Sequence, residues 1–100
     1  MTSITAIILT FNEEKHIARC IESLQSVCSR ICVVDSNSTD QTVEIAKGLG
    51  AEIMSHVWEN NYAKQLNWGI ENANIQSEWV LRIDADEYLS PALQSEIKDS

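Results

Sequence analysis

Two textures alternate along the chain. Nearly continuous apolar, β-branched runs cover residues 4–9, 30–34, 51–56 and 79–83, and stretches with helical spacing cover 14–24, 42–49, 63–73 and 91–97. In the first helical stretch Ile17, Cys20, Ile21 and Leu24 fall on one stripe of a 3.6-residue period, which predicts a helix with one buried face. The runs at 4–9 and 31–34 lack the alternation of a half-exposed strand, as expected of strands covered on both faces of a parallel sheet. Strand and helix alternate with short links, which reads as successive βαβ units. The predicted class is α/β: a mainly parallel sheet of about four strands, with helices on both faces.

Local punctuation agrees. Gly48 and Gly50 are placed to stop the second helix, and Ser90 before Pro91 reads as a cap with proline at the first helical position. The polar run from Ser36 to Asp40 predicts a turn, with Ser38 or Asp40 capping the helix that follows. No repeat, linker or internal boundary interrupts residues 1–100, so one domain is expected. Four strands give a small core and leave edges in need of cover. The expectation is the first portion of a longer unit, or a module completed by a partner, self-association included.

Composition narrows the function classes. Apolar residues make up 44% and charged residues 22%, which is globular usage. Fifteen acids against seven bases give a net charge of -8, the wrong sign for a dedicated nucleic-acid surface. That balance suits a cation site that takes anionic ligands through a metal. Three cysteines (Cys20, Cys28 and Cys32) cannot all pair with one another, and free buried thiols are expected. The run Ala6-Ile7-Ile8-Leu9 is far too short to span a bilayer, and no signal-peptide pattern is visible. A chain of a reducing, cytoplasmic compartment is the expectation.

In a parallel α/β sheet, ligands bind beyond the carboxyl ends of the strands. Here those ends are polar: Thr10-Phe11-Asn12-Glu13-Glu14, Asp35-Ser36-Asn37, His56 with the 58–62 loop, and Asp84-Ala85-Asp86-Glu87. Such acidic convergence is costly unless a cation or hydrogen-bond donors offset it. The two-residue step aims Asp84 and Asp86 to one side, with small Ala85 between them. Hard oxygens at that spacing suit Mg²⁺ or Mn²⁺, which keep waters and accept diphosphate oxygens. The plainer reading is an acidic turn complementing the next helix dipole. Asp35 could accept from a base imide or ribose hydroxyl, but from the residues alone an Asx-turn opening the 36–40 loop is the favoured reading. Asn12 reads as an N-cap and Glu14 as a first-turn acid, unless their loop also binds ligand. No glycine-rich cradle or P-loop lysine follows the first strand, so a phosphate would need a metal. Lys64 could neutralise a phosphate or simply be solvated; Trp58, Tyr62 and Trp68 read as core cover, and His56 and His16 as structural or surface residues.

Three segments carry a resemblance. Ile7-Ile8-Leu9-Thr10-Phe11-Asn12-Glu13-Glu14, then Val33-Val34-Asp35-Ser36-Asn37-Ser38-Thr39-Asp40-Gln41-Thr42, then Leu81-Arg82-Ile83-Asp84-Ala85-Asp86-Glu87 resemble the family 2 glycosyltransferases of the GT-A fold. The segment 58–67 and the Asp-Ala-Asp-Glu ending are similar to bacterial lipopolysaccharide-core β-glucosyltransferases. The resemblance implies a Rossmann-like GT-A half-domain binding a nucleotide-sugar donor, a UDP-hexose by preference. Thr10, Phe11 and Asn12 would line the nucleotide pocket with Glu14 nearby, and Asp35 would bond the base. Asp84 would approach the ribose or diphosphate, and Asp86 would hold Mg²⁺ or Mn²⁺. Asn67, in Leu66-Asn67-Trp68-Gly69, matches a helix motif flanking the nucleotide. Lys64 joins it as a donor-binding candidate, although the family's basic residue just before that asparagine is Leu66 here.

The expected reaction is inverting transfer of the sugar to an acceptor hydroxyl on a glycan or lipid-linked acceptor, in lipopolysaccharide or cell-surface polysaccharide synthesis. Peripheral contact with the inner face of the membrane is compatible with that. The family's acceptor site and catalytic base belong to a second half not matched in these residues, so no catalytic base is assigned and little transferase activity is expected of this chain alone. The alternative is a non-catalytic nucleotide-binding or regulatory module of the same fold. A phosphate-transferring α/β protein fits less well, because its nucleophilic aspartate would follow the first strand, where Thr10-Phe11-Asn12 stand.

Overall fold

The computed structural model describes residues 3–58 and 60–98. Strands and helices alternate strictly: β1 (Ile4–Thr10), α1 (Ile17–Leu24), β2 (Arg30–Asp35), α2 (Thr42–Gly48), β3 (Glu52–Ser55), α3 (Tyr62–Asn72), β4 (Trp79–Asp84) and α4 (Pro91–Lys98). The strands form one parallel sheet in the order β3-β2-β1-β4. The α/β prediction holds, with four strands.

Successive side chains of a strand leave opposite faces of the sheet, and two cores result. On one face Ala6, Ile8, Val33 and Ile83 meet Ile17, Cys20, Ile21 and Leu24 of α1, Ala46 of α2, and Leu89. On the other, Ile7, Cys32 and Val34 pack with Ala73, Leu66 and Trp68 from α3 and its end. Burial of the central strands on both sides is why their sequences are almost unbroken apolar runs. Full burial of each Ile or Leu here contributes about 1.5–3 kcal/mol.

The chain moves outward from β1 to β2 to β3, then crosses back to β4 on the far side of β1. A right-handed crossover keeps the helix on one face while the direction holds and moves it to the other when the direction reverses. That is why, among the described residues, α3 packs on one face while α1, α2 and α4 pack on the other. The reversal opens a switch point between the carboxyl ends of β1 and β4, where open α/β sheets bind ligands.

Several boundaries differ from the sequence reading. Helix α1 begins at Ile17, not at 14, and its N-cap position is His16, without a side-chain capping bond. Asn12 is therefore not its cap, and Glu14 lies before the helix rather than in its first turn. The intervening loop is held by its neighbour instead: Glu13 N donates to Thr42 Oγ1 and Glu14 N to Asp40 Oδ2. Strands β1, β2 and β4 each run one residue further than predicted, so Thr10, Asp35 and Asp84 are the last rungs of their strands. β3 is shorter, with Ala51 and His56 outside it. Of the two glycines after α2, Gly50 takes the left-handed φ of +91°, while Gly48 is the last helical residue. Asp40 accepts from Thr42 N at 3.0 Å at the start of α2, and Ser90 Oγ accepts from Leu93 N at the start of α4.

Candidate nucleotide cleft at the strand ends

A cleft of about 340 Å³ opens at the carboxyl ends of the central strands, lined by Leu9, Thr10, Phe11, Ser36, Trp58 and Tyr62. Register sets its floor. Thr10 is the cross-strand partner of Asp35, and Leu9 that of Asp84. Since cross-strand partners share a face, Thr10 and Asp35 lie on one side of the sheet and Leu9 and Asp84 on the other. Asp35 and Asp84 thus end neighbouring strands on opposite faces of the sheet, and neither is among the residues that line the cleft.

Asp35 is 2% exposed. Its Oδ1 accepts from Thr10 Oγ1 at 2.7 Å and from Ser38 Oγ at 2.6 Å, and its Oδ2 accepts from Ser38 N at 2.8 Å. The carboxylate does open the 36–40 loop, but through a backbone bond three residues on rather than the two of an Asx-turn, and it also orients the hydroxyl of a cleft-lining threonine. Asn12 takes a left-handed φ of 52°, and its Oδ1 accepts from Thr39 N at 2.8 Å, tying the loop after β1 to the loop after β2. Asparagine tolerates that backbone region better than most residues. Glu14 Oε2 accepts from Gln41 N at 3.0 Å, away from the cleft wall.

On the opposite face Tyr62 joins cleft to acid. Its hydroxyl donates to Asp84 Oδ1 at 2.7 Å and accepts from Arg82 Nη1 at 2.7 Å, with the guanidinium 5.2 Å from the ring centroid. Burial, then the bond to Asp84, holds the phenol above its ordinary pKa, outweighing the opposite pull of Arg82. The Asp84 backbone N–H donates to Glu87 Oε1 at 2.9 Å, and the next carboxylate, Asp86, is exposed. No group of three or more His, Cys, Asp or Glu side chains able to hold a metal gathers among the described residues. An all-protein cage is therefore not the fit. Asp84 and Asp86 supply hard carboxylate oxygens of the type an Mg²⁺-like ion takes, and such an ion would complete its shell with waters and substrate phosphates.

Lys64 and Asn67 are not brought to this wall. Both are exposed on α3, whose buried positions are Gln65 and Gly69. Helix α3 starts at Tyr62 because Asn61 caps it, its Oδ1 accepting from Lys64 N at 3.1 Å. Two aromatics read as core cover, Trp58 and Tyr62, line the cleft instead. Trp68 does join the core of the α3 face, stacked on His56 with centroids 4.2 Å apart. Ser36, Trp58 and Tyr62 were missed as site residues. The only signal was position, just past a strand end or just before a helix.

The acids also act inward. Cys20 Sγ lies 3.7 Å from the Asp84 carbonyl, and burial, reinforced by Glu87, Asp84 and Asp86, pushes its thiol up to about 12. Cys20, Cys28 and Cys32 are all free; Cys20 and Cys32 are buried and Cys28 half-buried.

With this geometry in place, comparison with known proteins decides the family: the profile described as Glycosyl transferase family 2 matches residues 5–98. The chain belongs to that family. It is 44% identical over 98 residues to an uncharacterized glycosyltransferase of Rickettsia typhi, covering 98% of this chain and 32% of the relative. It is 36% identical over 96 residues to the lipopolysaccharide core biosynthesis glycosyltransferase LpsC of Rhizobium meliloti, covering 91% of this chain and 34% of LpsC. The chain thus spans about a third of the length of the curated relatives it matches. Among solved structures it superposes on glucosyl-3-phosphoglycerate synthase from Mycobacterium tuberculosis in complex with UDP, with a TM-score of 0.70 and 26% identity, covering 86% of this chain and 34% of that one. The mycobacterial enzyme has also been crystallised with Mn²⁺ beside UDP. The family and the GT-A fold expected from the three motifs are both found.

Proposed function

We propose that this chain is the donor-binding portion of an inverting glycosyltransferase, and that its cleft seats a nucleoside diphosphate sugar, a UDP-hexose by preference. The observation that carries the reading is the cleft beyond the carboxyl ends of β1 and β2, whose wall residue Tyr62 is bonded to Asp84, the first of two carboxylates, Asp84 and Asp86, at the end of β4. The UDP complex of the mycobacterial neighbour supports the same choice of ligand.

In this reading Phe11 and Trp58 offer apolar surface to the nucleoside, Thr10 and Asp35 form the floor beneath it, and Tyr62 aligns Asp84 toward the ribose and diphosphate. Asp86, with Asp84 beside it, would hold Mg²⁺ or Mn²⁺, an ion that supplies charge neutralisation for a departing nucleoside diphosphate. Transfer to an acceptor hydroxyl requires a base that removes its proton. We assign that base to no residue of this chain. The relationship to LpsC favours lipopolysaccharide-core or cell-surface glycan synthesis, with a glycan or lipid-linked acceptor met in the cytoplasm or at the inner membrane face. No helix among the described residues is long and apolar enough to cross a membrane.

Titration calorimetry with UDP-glucose, with and without Mn²⁺, tests the proposal. Metal-dependent binding that disappears in Asp86→Ala is the expected result. A folded wild-type chain that binds no nucleotide in Mn²⁺ would overturn it and favour a non-catalytic module.

A further inference from the structure

The hydroxyls of the cleft wall are not equivalent. Thr10 gives its proton to Asp35 Oδ1, and Tyr62 gives its own to Asp84 Oδ1 while accepting from Arg82. Ser36 is different. Its Oγ lies 3.0 Å from Gln65 Nε2, and a second partner fixes the direction of that bond. The same Nε2 lies 3.3 Å from the His56 carbonyl oxygen, which can only accept, so the amide nitrogen faces this side and Ser36 Oγ is the acceptor. The amide oxygen then meets His56 Nδ1 at 2.8 Å, which must carry a proton. Every joint of this chain is held: Gln65 is 1% exposed, and the His56 ring is stacked on Trp68. With a lone pair taken by a buried amide and no acceptor bonded to it among the described residues, the Ser36 hydroxyl proton is left for the cleft.

We infer that Gln65 is a positioning residue that presents Ser36 as the hydroxyl donor of the cleft, so that an oxygen acceptor of the nucleoside is selected at that point. The inference rests on the nucleotide reading above and adds to it a polarity and a residue that never touches the ligand. Gln65→Glu reverses that polarity: a carboxylate accepts, draws the Ser36 proton to itself and leaves only lone pairs facing the ligand.

Calorimetry with UDP and Mn²⁺ on the wild type, Ser36→Ala, Gln65→Glu and the double variant tests this. Ser36→Ala is expected to weaken UDP binding by about three- to tenfold, the worth of one neutral hydrogen bond. Gln65→Glu should weaken it by a similar factor with Ser36 present and by no more than about twofold with Ser36→Ala, because the two act through one bond. If the buried carboxylate compromises folding, Gln65→Met, checked by circular dichroism, takes its place in the cycle. Losses at position 65 that persist undiminished without Ser36 would show a structural role and overturn the inference, as would unchanged affinity in Ser36→Ala. Failure of the wild type to bind UDP overturns the nucleotide reading and this inference together. Binding by the wild type with silent variants overturns this one alone.

Discussion

Asp35 holds three hydrogen bonds while almost wholly removed from water, and its neighbours depend on it. Asp35→Ala would strand the Thr10 hydroxyl and the Ser38 N–H, at about 1–3 kcal/mol for each buried group left unpaired. Urea unfolding should register that loss, and UDP affinity should fall with it because Thr10 forms the cleft floor. Cys20 makes a different prediction. Its folded thiol sits at about 12 against an ordinary 9.0, so the native state holds a proton that the unfolded state releases above pH 9. A raised acid contributes stability that is intact below its unfolded pKa and is lost as pH climbs toward its folded one. Unfolding free energy should therefore decline between about pH 9 and 12, and less steeply in Cys20→Ala measured against its own value at pH 8. The thiol should also resist iodoacetamide at pH 8 until the chain unfolds, since only the thiolate is nucleophilic. The residue types at both positions were readable beforehand. That Asp35 would be buried and triply bonded was not, because Thr10 and Ser38 reach it only once β1 and β2 are paired.

Among the elements, α3 shows how a sequence signal gains its meaning from packing. Gly69 in mid-helix is unfavourable on propensity by about 1 kcal/mol relative to alanine. The sheet explains it: a Cβ at Gly69 would stand 2.7 Å from Val34 Cγ2 and 3.6 Å from Ile7 Cγ2. Valine is stiff about χ1 and cannot swing clear, so Gly69→Ala should destabilise by about 1–3 kcal/mol despite the better helix former. Val34→Ala should relieve part of that cost, a coupling that a double-mutant cycle in urea would reveal. At the other end of α3, Asn61→Ala removes the bond to Lys64 N and should cost about 0.5–2 kcal/mol by thermal or urea unfolding. Apolar period predicted this helix to within a residue of its ends. It did not place Tyr62 on the cleft, since a first-turn residue faces ligand or solvent according to how the helix lies on the sheet.

At the scale of the whole molecule, the net charge of -8 opposes a nucleoside diphosphate that is itself anionic. Stripping divalent cations with EDTA should therefore abolish UDP binding while leaving the thermal midpoint of the nucleotide-free chain unchanged, a comparison that separates a donor-site ion from a structural one. The sequence by itself determined the alternation of strands and helices, the parallel class and the acidic strand ends, because hydrophobic period and turn chemistry are local properties of the chain. Its three motifs carried the family as well. Only the tertiary structure decided that Asp35 and Asp84 would occupy opposite faces, that Tyr62 would link one of them to a cleft, and that Gln65 would reach Ser36. Those relations depend on strand order, register and the face that each crossover selects, and such long-range geometry is fixed by packing both sides of one sheet at once.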